Sequence, residues 1–309
     1  MKTRFFTLWV TLLCLPMISW GQSPTYGGGN GTEATPYQIS TAEHLKALVE
    51  AVNGGESYDN VYFQLTASLT ITDNSWKPIG DDDENPFSGT FDGGGNTLTL
   101  PESLFDYVTN GKVSNLTVSI TATNTNINGI VAAYVNNSVI ENVTSEGSLS
   151  SGRTSNQAGG LFYMVKNGSQ ILNCTNNATL SGYNIAGGIA WCMDSREGET
   201  TTLIDGCTNN GDITTSNSWN GWAGGIIGSM YGGTISNCTN NGNISSVVQA
   251  AGGVVGCAFD YNFTESSSEP PAQDMLFINN TNTGEVDCVQ AAGGIIGLAD
   301  SNWNDIYVI

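Results

Sequence analysis

An eight-residue motif recurs along this chain at nearly regular intervals. It reads Ile-x-x-Cys-Thr-Asn-Asn and then a small residue. Full copies begin at Ile171, Ile204 and Ile235, and a shortened copy begins at Ile278. A second motif, a glycine pair followed by apolar residues, alternates with it at Gly159, Gly187, Gly224, Gly252 and Gly293. Repeats with a period of about 20 to 50 residues indicate a solenoid or another stacked architecture.

The chemistry of the repeats favours one solenoid class. Apolar residues alternate along short segments, which is typical of strands that face a shared core. Asn-Asn-Gly favours a turn, and paired glycines suit either a positive φ or a close backbone approach. A β-propeller is the alternative, but its blades usually carry Trp-Asp or Gly-His signals that this chain lacks. We therefore predict an all-β fold, a right-handed parallel β-helix, over residues 113–309.

The chain before residue 113 reads as two further parts. Residues 1–21 have a basic start, a short apolar run and small residues before Gln22, as a secretory signal peptide does. Residues 22–112 should hold the first β-coils and an amphipathic helix over 41–53, with Ser40 and Glu43 at the spacing of a capping box. We expect that helix to cap the open end of the solenoid, because exposed strand edges and an open core need a cover.

The charge of the chain restricts its partners. Formal net charge is −20, and loss of Lys2 and Arg4 with the signal peptide takes it to −22. So acidic a chain should repel nucleic acid and anionic membranes. No later segment is apolar enough to insert into a bilayer after removal of the signal peptide.

Several ordered motifs resemble a known family. The glycine-pair and Cys-Thr-Asn motifs look like the GLUG motif of secreted bacterial proteins. Four segments are similar to the opening of exported Bacteroidetes and Firmicutes proteins: Gly31–Ser40, Phe63–Thr66, Trp76–Gly80 and Phe87–Gly93. The resemblance implies a secreted or cell-surface, adhesin-like β-helix of the kind also found in IgA-cleaving peptidases. It supplies no catalytic residues.

Six cysteines follow the signal peptide, and three of them share one place in the repeat. Cys174, Cys207 and Cys238 should stack as a ladder, because neighbouring strands lie about 4.8 Å apart. Their position is typical of small side chains buried in the core. The alternative is a disulfide between neighbouring rungs, which an oxidising compartment would allow. Zinc is disfavoured because His44 is the single histidine and no Cys-x-x-Cys occurs. We expect no cofactor and no metal; calcium at the acidic run 81–84 is left open.

We do not expect the residues of this chain to be catalytic. β-Helical polysaccharide lyases and hydrolases need clustered carboxylates or a basic residue, and the acids of the coils recur at no common position. Binding is better supported. The candidate ligand-binding residues are aromatic: Tyr163, Trp191, Trp219, Trp222 and Tyr231. In a row they would stack on sugar rings or protein; the alternative is that they pack internally.

We therefore expect a secreted or cell-surface adhesin-like module that binds glycans or host proteins. A carbohydrate-active β-helix enzyme and a passive stalk of a larger exported protein such as a peptidase are the alternatives. The final residues resemble the start of another turn or strand, and solenoids need a cap at each end. We expect a C-terminal truncation, with downstream domains of the same polypeptide as further partners.

Overall fold

A computed structural model describes residues 25–73, 75–121, 127–151, 157–195, 200–217, 221–259, 274–300 and 306–308. The strands of all four sheets pair in parallel, each with its counterpart one coil away. The predicted parallel β-helix is confirmed. The signal peptide, Trp219, the loop 260–273 and the tail 301–305 lie outside the described residues.

Among the described residues, the first sheet has sixteen strands and runs the length of the stack. Its main path consists of Tyr37–Ile39, Tyr62–Leu65, Thr90–Asp92, Lys112–Ile120, Val139–Glu146, Gln170–Leu172, Leu203–Asp205, Gly233–Ser236, Met275–Ile278 and Ile306–Val308. A side path consists of Leu69–Thr70, Thr97–Leu100, Thr175–Asn176, Thr208–Asn209, Thr239–Asn240 and Thr281–Asn282.

Three smaller sheets complete each coil. The second sheet contains Ser148–Ser150, Thr179–Gly182, Ile213–Thr215, Ile244–Ser246 and Val286–Cys288. The third contains Gln157–Gly159, Ile185–Gly187, Trp222–Gly224, Ala250–Gly252 and Ala291–Gly293. The fourth contains Phe105–Thr109, Ala132–Asn136, Phe162–Lys166, Ala190–Asp194, Ile227–Tyr231, Val255–Phe259 and Ile296–Asp300.

A bend in the left-handed region recurs in six successive coils of the first sheet, within the long strand in two of them and between the main and side strands in the other four. Asn115, Asn142, Asn173, Asn237 and Asn279 occupy it with φ between 52° and 54°, and Gly206 takes the same place with φ 65°. Asparagine tolerates this conformation better than other non-glycine residues. The asparagine of the repeated motif therefore sets the bend of the coil.

The paired glycines are required by close backbone packing and not by a positive φ. A Cβ on Gly224 would overlap the carbonyl oxygen of Ile227, and one on Gly225 would overlap that of Gly253 in the next coil. Neither residue has positive φ. Of the two explanations offered by the sequence, close backbone approach is the one that applies here.

The core is one continuous stack of apolar side chains with two polar ladders inside it. Cys174, Cys207 and Cys238 are fully buried thiols, and the amide nitrogen of Cys174 lies 3.4 Å from Sγ of Cys207. Asn176, Asn209 and Asn240 are buried beside them. Burial raises the pKa of the Cys207 thiol.

A helix over Ala42–Asn53 buries Leu45, Leu48 and Val52. Its N-cap is Thr41, whose side chain accepts from the backbone nitrogen of His44 at 3.3 Å. The capping box expected at Ser40 is therefore wrong by one residue, because Thr41 is the last residue in the extended conformation. Among the described residues, no helix has the length and apolarity to cross a membrane.

Candidate aromatic binding site

Two strands of the fourth sheet, Phe105–Thr109 and Phe162–Lys166, carry two successive partly exposed side chains. In Phe162–Lys166, Phe162 and Val165 are fully buried, whereas Tyr163 and Met164 are partly exposed. The ladder pairs Phe162 with Ala190 and Met164 with Cys192, so that Tyr163 and Trp191 are the intervening residues of neighbouring strands. The register thus places aromatic residues of successive coils next to one another.

Four aromatic rings in mutual contact form a row along successive coils of this sheet. Tyr107 stacks on Tyr134 with ring centroids 4.6 Å apart, and Tyr134 meets Tyr163 edge-on at 5.4 Å. Tyr163 then stacks on Trp191 at 4.3 Å. All four side chains are partly exposed, and we call them the aromatic row. Burial raises the pKa of Tyr163 to about 12, so its hydroxyl stays protonated near neutral pH.

The predicted aromatic residues separate into two groups. Tyr163 and Trp191 lie in the aromatic row, while Trp222 and Tyr231 both contact Phe259 further along the stack, at centroid distances of 4.8 and 5.5 Å. Trp219 lies outside the described residues. Binding by any of the five remains a prediction.

Two members of the aromatic row were missed by sequence reasoning. Tyr107 and Tyr134 precede the glycine pairs and stand in coils without the cysteine motif. A signal was available, because Phe105-Asp-Tyr-Val and Ala132-Ala-Tyr-Val share their last two residues and pair in register. Aligning coils by that Tyr-Val step would have extended the row.

Carboxylates lie beside one end of the aromatic row. Asp106 precedes Tyr107 on the same strand, and its amide donates to the carbonyl of Ile79. Burial, and then the negative charges of Glu102 and Asp81, raise the pKa of Asp106 to about 6. Near neutral pH this carboxyl is ionised and can accept hydrogen bonds beside the partly exposed ring of Tyr107, and it is protonated in mild acid.

The acidic run and the histidine have local structural roles. Oδ1 of Asp82 accepts from the backbone nitrogens of Glu84 and Asn85 at 3.0 and 2.8 Å, which closes the loop as an Asx turn. Nδ1 of His44 lies 3.3 Å from Oγ of Ser40 at the start of the helix. Within the described ranges, no three His, Cys, Asp or Glu residues are grouped so as to hold a metal ion.

Comparisons with known proteins extend the account of the fold. The structure is similar to a protein of Bacteroides ovatus assigned as an immunoglobulin A1 protease, with a TM-score of 0.61, 21% identity, and coverage of 89% of this chain and 87% of that one. It is also similar to an IgA1 protease, with a TM-score of 0.60 and 19% identity. That match covers 84% of this chain and 21% of the other. At such identities the likeness concerns the fold.

Sequence comparisons match shorter parts. A Gly-rich membrane protein of Evansella cellulosilytica is 33% identical over 107 residues, which is 32% of this chain and 12% of that protein. Halomucin of Haloquadratum walsbyi is 31% identical over 153 residues, 43% of this chain and 2% of its own length. The chain thus matches only a small share of the length of either relative. No family model matches, and membership of the GLUG family stays a prediction.

Proposed function

We propose that this chain is a non-catalytic, extracellular β-helical module that binds neutral carbohydrate through the aromatic row. The observation that carries the proposal is the partly exposed row of rings from Tyr107 to Trp191, since partly exposed aromatic rings offer apolar surface to sugar rings.

The chemistry around the aromatic row supports a neutral ligand. Asp106, Glu102 and Asp81 stand close enough for their charges to interact, and their negative charge would repel sialylated or uronic acid glycans. A carboxylate next to a ring can accept from sugar hydroxyls while the ring takes the apolar face of the sugar. This pairing of a few polar groups with apolar surface is typical of small-ligand sites.

The test is binding of the purified secreted chain to an array of neutral and acidic oligosaccharides. We expect neutral glycans to bind and Trp191→Ala and Tyr134→Leu each to weaken binding at least about tenfold, or about 1.4 kcal/mol. Tyr62→Ala is the matched control, because Tyr62 is a partly exposed tyrosine of the first sheet outside the row. Equal binding by all three variants, or binding restricted to acidic glycans, would contradict the proposal.

A second candidate function is a spacer within a larger exported peptidase. It is supported by the match that covers most of this chain but only 21% of an IgA1 protease. The test is to sequence the gene past codon 309. An in-frame peptidase domain together with no glycan binding by the module would favour the spacer; a stop codon at that point would argue against it.

A further inference from the structure

Seven threonines form an unbroken ladder on the outer face of the first sheet. Each pairs in register with the next, one coil at a time: Thr97, Thr117, Thr144, Thr175, Thr208, Thr239 and Thr281. For the five threonines from Thr117 to Thr239, the residues just before and after them along the chain, such as Cys207 and Asn209, are buried, and Thr281 is itself exposed. The threonine side chains therefore point outward, and we call them the threonine ladder.

The preference of β-strands for threonine does not account for the threonine ladder. Strand preference would equally admit valine, isoleucine or tyrosine at an outward position. Another outward row of the same sheet shows that freedom: it reads Lys112, Val139, Gln170, Leu203, Thr234 and Leu276. Of these two outward rows, only the threonine ladder has the same residue type at every rung.

The flanking polar side chains are bonded to one another, but the threonines are not. On one side, Nδ2 of Asn142 donates to Oδ1 of Asn115 at 3.2 Å. On the other, Asn210 donates to Asn177 and Asn241 to Asn210, both at 2.9 Å. Within the described part of the chain, none of the seven threonine hydroxyls has a hydrogen-bond partner. The ladder thus presents a row of hydroxyl groups that are available for hydrogen bonds, between two rows of asparagine amides that already make them.

The charge of this surface favours an uncharged ligand. Glu146 is the one charged residue of the threonine ladder and the two flanking asparagine-rich rows, and Asp92 and Asp205 beside them have their carboxylates bonded to Asn115 and Asn237. The chain as a whole has a formal net charge of −20, which disfavours binding of an anionic polymer or of a second copy of the same face. A neutral, hydroxyl-rich ligand meets no such repulsion.

We propose that the threonine ladder is a second binding surface, which holds an extended neutral polysaccharide along the axis of the stack. Rungs of a parallel sheet are about 4.8 Å apart, which is comparable with the advance of one sugar residue in an extended β-linked chain. Successive hydroxyls can therefore bond successive sugars, while the threonine methyl groups contact the apolar faces of the rings. Many weak, regularly spaced contacts add up over a polymer. This surface is independent of the aromatic row and does not rest on it.

The test uses two polymers of the same sugar. Retention of the purified chain on microcrystalline cellulose, which is extended, is compared with retention on insoluble amylose, which coils. We expect retention on cellulose and little on amylose. Replacing Thr144, Thr175, Thr208 and Thr239 together by valine, which keeps shape and strand preference, should weaken retention at least about tenfold.

Matched variants make the result decisive. Thr179→Val with Thr234→Val removes two outward hydroxyls from other rows and should leave retention unchanged. Trp191→Ala is measured beside them, and loss of retention there without loss in the four-valine variant would assign cellulose binding to the aromatic row and overturn the proposal. No retention of the wild-type chain, equal retention on amylose, or no effect of the four valines would overturn the proposal. Self-association abolished by the four valines would also overturn it, because the occupant would then be a second copy.

Discussion

Nδ2 of Asn176 donates to Oδ1 of Asn209 over 2.7 Å, and both residues are fully buried one coil apart. Asn209 repeats the contact to Asn240 at 2.7 Å and donates to the carbonyl of Gly211 at 2.8 Å. A Cβ on Gly188 would collide with the carboxamide of Asn209. The buried asparagine of the cysteine motif therefore packs directly against the second glycine of the glycine pair.

Breaking this buried ladder should cost far more stability than breaking the exposed one. Asn209→Ala leaves buried polar partners unpaired, and we expect a loss of about 1–3 kcal/mol in the free energy of unfolding. Asn210→Ala, the next residue, removes the exposed link to Asn177 and should cost less than about 0.5 kcal/mol. Urea denaturation measures both, and equal shifts of the midpoint would show that the buried ladder has no special role.

The glycine pair can be tested at two equivalent positions. Gly225→Ala places a methyl group against the carbonyl of Gly253 and the side chain of Asn240, so we expect a loss of several kcal/mol or no folding. Gly294 holds the same place in the last described coil, and a Cβ added there would meet no atom within 4 Å. Gly294→Ala should therefore be tolerated. Thermal melting of the two variants is the measurement, and similar melting temperatures would refute the steric explanation.

Asp106 should make stability fall as pH rises. Its pKa is raised to about 6 by burial and by Glu102 and Asp81, so between about pH 4 and 6 the folded state binds more proton than the unfolded state. Folding stability from this group is then lost as pH rises through that window. Asp106→Asn should raise the melting temperature at pH 7.5 and leave it unchanged at pH 4. An equal change at both pH values would contradict the assignment.

The cysteine ladder should be unreactive until the chain unfolds. Burial raises the pKa of Cys207, and Cys174 and Cys238 are equally inaccessible, whereas Cys288 is partly exposed. Iodoacetamide should therefore label Cys288 in the native protein and the three ladder thiols only in denaturant, read by peptide mass. Ladder cysteines that resist labelling in denaturant without reductant would reveal the disulfide that the sequence left open.

The repeat predicts the architecture because its chemistry is local. Ile171 and Cys174 fix which face is buried, Asn173 fixes the bend, and the glycine pair at Gly187 fixes a close approach, so each coil specifies its own shape. The buried amide ladder was harder to see. In the sequence, Asn176 and Asn177 look alike, and only the strand register buries the first and exposes the second.

The candidate sites depend on contacts between coils and were less predictable. Tyr163 and Trp191 share an offset from their glycine pairs, which sufficed to bring them together. Tyr107 and Tyr134 were missed because Tyr134 pairs with Met164, so that their rings lie one position further along the strand than Tyr163. The threonine ladder lies within the repeated motif at Thr175, Thr208 and Thr239 and within its shortened copy at Thr281, but Thr97, Thr117 and Thr144 come from coils that lack the motif.

The most direct measurement of the central claim, that the aromatic row binds carbohydrate, is a titration followed by the indole N–H signals of the 15N-labelled protein. The ligand is the neutral oligosaccharide that binds most tightly on the array. Nε1 of Trp191 has no hydrogen-bond partner in the described structure, whereas Nε1 of the buried Trp76 donates to the carbonyl of Ser103 at 3.0 Å. We predict that the Trp191 signal moves and the Trp76 signal does not. Movement of the Trp222 signal alone, or of none, would contradict the claim.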